Sequence, residues 1–92
     1  MPRLVLSRQA ARFLEALPTK QARQIAEKIA ALAENPDAPA SEPLRGYAPM
    51  RRLKAGEFRI VFVVEQDVLE IRLIGKRNDD EIYKALARAL RK

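Results

Sequence analysis

The sequence predicts an α+β domain: a helical hairpin first, then a mainly antiparallel sheet of three to four strands, then a short C-terminal helix. Three observations carry this. Apolar residues recur at helical spacing up to about residue 34, alternate or run together between residues 50 and 74, and return to helical spacing after residue 80. Asn35-Pro36 and the Pro- and Ala-rich stretch from Asp37 to Pro43 separate the first regime from the second. At 92 residues the chain is sized for one modest core, so 1–92 reads as a single domain.

Leu4-Val5-Leu6 is too brief for a helix and reads as an edge or returning strand. Ser7 can cap a helix running through Leu17, with Ala10, Phe13, Leu14 and Leu17 on one stripe. Pro18 ends it, having no N–H for the next helical bond. Thr19 can cap a second helix, whose apolar stripe is Ala22, Ile25, Ala26, Ile29, Leu32 and Ala33. Its wet face carries Lys20, Arg23, Glu27, Lys28 and Glu34, and Asn35-Pro36 stops it. Asp37 to Pro43 reads as an exposed connector.

Phe58 to Val64 is β-branched and aromatic, the centre of the sheet. Leu69 to Ile74 pairs with it across Glu65-Gln66-Asp67, and Met50 to Lys54 joins it through Ala55-Gly56-Glu57. From Asp80 to Leu90, the residues Ile82, Leu86, Ala89 and Leu90 share a helical face, with Asp79 or Asp80 as the cap. Alternation along the strands turns Leu53, Ile60, Phe62, Leu69, Ile71 and Leu73 towards the hairpin. It turns Arg52, Lys54, Arg59 and Arg72 to the opposite face, which Val61 and Val63 share. One side of the sheet is therefore core and the other a shallow basic surface.

Composition narrows the chemistry. Eighteen Lys and Arg against twelve Asp and Glu give a net charge of +6, which suits an anionic partner. There is no cysteine for a disulfide, a thiol nucleophile or a zinc site, and no histidine for the usual general base or metal ligand. Glu57 and Glu70 stand alone, while Asp79, Asp80 and Glu81 fall where a helix cap belongs, so no two-metal carboxylate set is apparent. Ser7 and Ser41 have no base companion, and Gly46, Gly56 and Gly75 form no phosphate-cradling loop. No cofactor is expected. No apolar run approaches a membrane span or a secretory signal, so the expected location is the cytoplasm.

The cations are clustered. Arg45, Arg51, Arg52, Lys54 and Arg59 lie together in sequence, and Lys76, Arg77, Lys84, Arg88, Arg91 and Lys92 follow near the C-terminus. Guanidinium forks suit phosphate oxygens, although a solvated positive face is the plainer reading of such a patch. With 5% aromatic residues and no Trp, platforms for stacked bases are few. Arg52, Lys54, Arg59, Arg77 and Tyr83 together form a set able to cleave RNA without metal. The ribose 2′-hydroxyl already adjoins the scissile phosphate. It needs only a base, cations on the phosphorane and a proton for the leaving 5′-oxygen. Neighbouring cations favour phenolate, which would equip Tyr83 for the first task. The plainer alternatives are that Tyr83 packs its ring beside Ile82 and that Arg77 only ends a strand.

The order and spacing of several pieces resemble the RelE/ParE superfamily of toxins over nearly the whole chain. These pieces are the two helices with Asn35-Pro36, Leu44-Arg45-Gly46, the stretch Arg52-Leu53-Lys54-Ala55-Gly56-Glu57-Phe58-Arg59, and Gly75-Lys76-Arg77 followed by Tyr83. The resemblance implies a curved antiparallel sheet beside the hairpin. It also implies one of two activities: cleavage of messenger RNA in the ribosomal A site (RelE branch) or poisoning of DNA gyrase without RNA chemistry (ParE branch). Gly75-Lys76-Arg77 with Tyr83 six residues on is similar to the RelE branch. By position, the resemblance gives Arg59 the transition-state phosphate, Arg77 a place near the leaving oxygen as phosphate ligand or proton donor, and Tyr83 the role of general base. Arg52 falls where RelE enzymes carry a lysine of the catalytic sheet. The other such lysine falls on Met50, a departure for which Lys54 or Arg51 is the nearest replacement.

The expected protein is thus a ribosome-dependent, metal-independent ribonuclease toxin, with a gyrase poison as the alternative. Arg52, Arg59, Arg77 and Tyr83 are its candidate catalytic residues, and Arg45, Arg51, Lys54, Lys76 and Lys84 its candidate phosphate contacts. The expected partners are the ribosome, its messenger RNA and a protein antitoxin with an acidic, partly disordered tail, in a toxin–antitoxin hetero-oligomer with no membrane involved.

Overall fold

Two helices cover one face of a five-stranded sheet. The computed structural model describes residues 3–35, 41–44 and 46–77, together with Lys84, Ala87 and Arg88. In chain order the elements are β1 (Arg3–Leu6), α1 (Arg8–Ala16), α2 (Thr19–Glu34), β2 (Ser41–Pro43), β3 (Arg51–Ala55), β4 (Phe58–Glu65) and β5 (Val68–Lys76). The strand order is β1-β5-β4-β3-β2. All pairings are antiparallel except β1 with β5, which run parallel. Lys84, Ala87 and Arg88 are helical. The other residues of the predicted last helix, with Asp79 and Asp80, lie outside the described residues.

Local chemistry explains the starts and stops. The Ser7 side chain accepts the N–H of Ala10 as the cap of α1 and also donates to the carbonyl of Arg72 at 2.6 Å. Gln9 adds a two-way clasp, donating to Ile74 O and accepting Ile74 N–H, both at 2.9 Å. Beyond the end of β1, this amide occupies the place a neighbouring strand would take on β5. At α2 the expected Thr19 cap is not formed. Thr19 is the first helical residue and Pro18 takes the cap position without a side-chain bond, a proline being suited to hold the chain extended just before a helix.

The hairpin and the sheet share one core of Ala10, Ile25, Ile29, Leu32, Leu53, Ile60, Phe62, Leu69 and Ile71, with Phe13, Leu14 and Leu17 packed against it. Phe13 meets Phe58 edge to face, centroids 5.9 Å apart at 83°, a geometry worth about 0.5–1.5 kcal/mol beyond burial. Ala26, expected on the core stripe, is exposed.

Two further sequence expectations need correction. Ser41-Glu42-Pro43 is a short edge strand on β3, not part of a connector, and raises the sheet to five strands. Leu73 faces away from the hairpin. The ladder between β4 and β5 shifts at Val61/Phe62, so that Val61 pairs with Leu73 and Phe62 with Ile71. Arg72 is the extra residue of a bulge, and the shift sends Leu73 to the outer face and Ile74 to the core.

Candidate nucleic-acid interface

The outer face of the sheet has an apolar end and a cationic end. At the apolar end Leu44, Met50, Val61, Val63 and Leu73 form a second, smaller core, with Tyr47 packed against it. The segment from Leu44 to Met50 closes on itself through Leu44 N–H to Met50 O at 3.0 Å, Tyr47 N–H to Leu44 O at 3.0 Å and Met50 N–H to Tyr47 O at 2.9 Å. Gly46, at φ +84°, supplies the left-handed residue of this turn. Met50 is 7% exposed. The position to which the resemblance assigns a second lysine is therefore a core position, and its side chain serves packing.

The cationic end is built by register. Glu42 of β2 stands opposite Arg52 of β3, which stands opposite Val61 of β4. Two rungs on, Lys54 stands opposite Arg59, and Arg59 opposite Gly75. Alternation places Arg52, Lys54 and Arg59 on this same outer face. Gly56, at φ +62°, opens the two-residue β3–β4 loop, where a tight hairpin favours glycine. The guanidinium of Arg59 is tied to that loop, its Nη1 donating to Phe58 O at 2.8 Å and Gly56 O at 3.1 Å. Arg77 N–H donates to Glu57 O at 2.7 Å and so continues the ladder past the end of β5. That makes Arg77 the diagonal neighbour of Arg59, at the ~7–8 Å spacing long side chains bridge.

Glu42 is the acid of this corner. It forms an ion pair with Arg52. Its carboxyl is held below the ordinary value first by that hydrogen bond, then by the charge of Arg52, with Lys54 and Arg59 adding smaller pulls. One carboxylate thus senses three cations. A second pair, Arg72 with Glu70, keeps Arg72 engaged beside the bulge.

Of the residues singled out from the sequence, the fold brings together Arg52, Lys54, Arg59 and Arg77. Arg51 points the other way: its Nε donates to Ser41 Oγ and its Nη2 to Ser41 O, both at 3.2 Å. It fastens the edge strand. Lys76 and Arg77 are exposed, and Lys84 is exposed on the last helix. Arg45 and Tyr83 lie outside the described residues. Sequence reasoning missed Glu42 and Tyr47, since nothing in a three-residue strand after a Pro-rich run signals pairing. Among the described residues no helix is long and apolar enough to cross a membrane.

Comparison with known proteins agrees with this architecture. Residues 4–81 match the family model described as the ParE toxin of the type II toxin–antitoxin system parDE. No curated protein matches the sequence. Among solved structures, a mutant of the E. coli toxin RelE in the free state superposes with a TM-score of 0.77 at 22% identity, covering 97% of each chain. The isolated E. coli RelE toxin gives 0.73 at 24% identity, over 98% of this chain and 100% of that one. The toxin of the archaeal RelE–RelB complex from Pyrococcus horikoshii OT3 gives 0.70 at 23%, over 83% and 94%. At such identities the likeness is one of fold.

Proposed function

Because the chain belongs to the ParE toxin family of type II toxin–antitoxin systems, we propose that this toxin acts as a ribosome-dependent, metal-independent endoribonuclease on messenger RNA. The observation that carries the reading is the pairing of Lys54 with Arg59 directly across the β3–β4 ladder. Like charges at opposed positions destabilise a sheet. Here Arg52 adds a third cation on the same face and Arg77 a fourth at the diagonal position, with Glu42 as a counter-charge. Such a corner is favourable once a phosphodiester occupies it.

The chemistry then divides as follows. Arg59, held by two carbonyls, meets the phosphate with a fixed fork and stabilises the charge that grows on the phosphorane. Tyr83 as phenolate takes the 2′-hydroxyl proton, and the 2′-oxygen attacks phosphorus. The bond to the 5′-oxygen breaks, leaving a 2′,3′-cyclic phosphate and a 5′-hydroxyl. The 5′-oxygen takes its proton from water, and the phenol of Tyr83 returns the one it accepted to solvent, so the protons balance. Arg77 binds the phosphate on the leaving side, since a guanidinium does not give up its proton. A protein antitoxin is its partner in this reading, in line with the RelE–RelB complex among the similar structures, and an acidic tail on that antitoxin suits the cationic corner by charge.

The match to the ParE family model supports a second reading, a gyrase poison that uses the same cations for binding alone. Purified protein in a translating extract separates the two. Codon-phased cuts in the message that persist with EDTA, beyond magnesium's effect on ribosomes, are expected of the nuclease. An intact message with stabilised gyrase–DNA cleavage complexes would establish the poison instead.

A further inference from the structure

The sheet ends differently on its two sides. The edge strand β2 carries Pro43, which has no N–H, and the charged Glu42, two features that discourage a further strand. The edge strand β1 has no proline, and its one charge, Arg3, stands at its start. Among the described residues, Leu4 and Leu6 are the large apolar side chains left exposed, at 46% and 39%. They stand opposite Leu69 and Ile71 of β5, so they border the core on the hairpin side. The N–H groups of Arg3 and Ser7 turn inwards, donating to Asp67 O at 2.7 Å and Ile71 O at 2.9 Å. Alternation turns Val5 the same way and leaves the N–H and C=O groups of Leu4 and Leu6 facing the open edge. Beyond β1 the Gln9 amide already closes β5. The open stretch is β1 itself.

The geometry points to a second copy of this chain as the occupant of that edge, the two β1 strands pairing antiparallel about a two-fold axis at Val5. Leu4 then exchanges both backbone bonds with Leu6 of the second copy, and Leu6 with its Leu4, so every edge-facing group of these residues is paired. Other registers do worse. An axis at Leu4 sets Leu6 against Pro2, which has no N–H, and an axis at Leu6 sets Leu4 against Arg8, already in α1. Leu4-Val5-Leu6 reads the same in both directions, so one patch complements itself, as a two-fold interface requires. On the hairpin side the four leucines of the two copies meet and remove apolar surface from water. Charge does not forbid the contact. Arg3 faces Ser7 of the second copy, and the two Arg3 residues stand ~13 Å apart along the strands, beyond the Debye length of ~10 Å in about 0.1 M salt. One short strand makes a small interface, so the dimer is weak and exchanges with monomer. It makes no use of Arg52, Lys54, Arg59 or Arg77, and so holds for a ribonuclease or a gyrase poison alike.

The test is sedimentation equilibrium of the full chain from about 10 μM to about 1 mM, in about 0.3 M salt to screen two chains of +6. The mass should rise from 10.4 kDa towards twice that value. Leu4→Pro removes an N–H that faces the edge and none that bonds β5, so it spares the ladder within each copy. It should weaken association about tenfold or more, one bond being lost from each copy. Circular dichroism checks that the variant folds. A second measurement does not depend on that variant. The chain has no cysteine, so Val5→Cys introduces a lone thiol at the axis, where facing Cα atoms ~4.5 Å apart suit a disulfide. Oxidation should cross-link Val5→Cys, and Arg3→Cys, ~13 Å from its twin, at least about tenfold more slowly. A chain monomeric at about 1 mM, a dimer indifferent to Leu4→Pro, or equal cross-linking of the two thiols would each overturn the proposal. So would Leu4 and Leu6 amides that respond in NMR spectra only to an added antitoxin, an outcome that assigns the edge to that protein.

Discussion

Arg59 stands directly across the β4–β5 ladder from Gly75. Gly75 itself puts no side chain over the Arg59 stem, while the carbonyls of Gly56 and Phe58 hold its head. Gly75 is buried. Gly75→Val adds a branched side chain at that rung and should cost about 1–3 kcal/mol of stability through overpacking. Urea unfolding measures that loss. Message cleavage by the fraction still folded should fall towards the level of Arg59→Ala.

Glu42 offers a test of the charge balance. Its carboxyl titrates below the ordinary value because Arg52 favours the ionised form. A depressed carboxyl stabilises the fold above its unfolded value, and the contribution is lost as pH falls through the folded one. Glu42→Gln should remove that acid-side loss. It should also strengthen single-stranded RNA binding at neutral pH and steepen the log–log salt slope by about 0.7, the value for one added phosphate contact. Fluorescence anisotropy across a salt series reads both.

Met50 tests whether a core position can be turned into a catalytic one. Met50→Ala should cost about 2–5 kcal/mol, the usual range for emptying a buried methionine site. Met50→Lys should destabilise at least as much without raising cleavage, whereas Met50→Leu should stay within about 1.5 kcal/mol of the parent. Thermal unfolding beside the extract assay separates the two effects. A Met50→Lys protein that is stable and more active would show that the apolar cluster yields to solvent.

Tyr83→Phe keeps the ring and deletes the hydroxyl. If the phenol handles the proton, cleavage should drop by about 10²–10⁴-fold while ribosome co-sedimentation is retained. Unchanged cleavage would return Tyr83 to a packing role.

Much of this protein was legible from period and punctuation. Ser7, Pro18 and Asn35 bracket the two helices because caps and breakers act within a few residues, and the β-branched run from Phe58 makes the central strand for the same local reason. The outward set Arg52, Lys54 and Arg59 followed from alternation, which is rigid wherever one face is buried. Three decisions belong to the tertiary structure. Ser41-Glu42-Pro43 becomes a strand because β3 has an open edge and Arg51 reaches across to Ser41, a contact no local pattern encodes. The bulge at Arg72, beside the Ser7 and Gln9 bonds, moves Leu73 to the outer face, since a one-residue shift reverses every later side chain. Met50 lies in a core because Leu44 and Tyr47 fold over it, giving this face an apolar half that charge counting had no means to reveal.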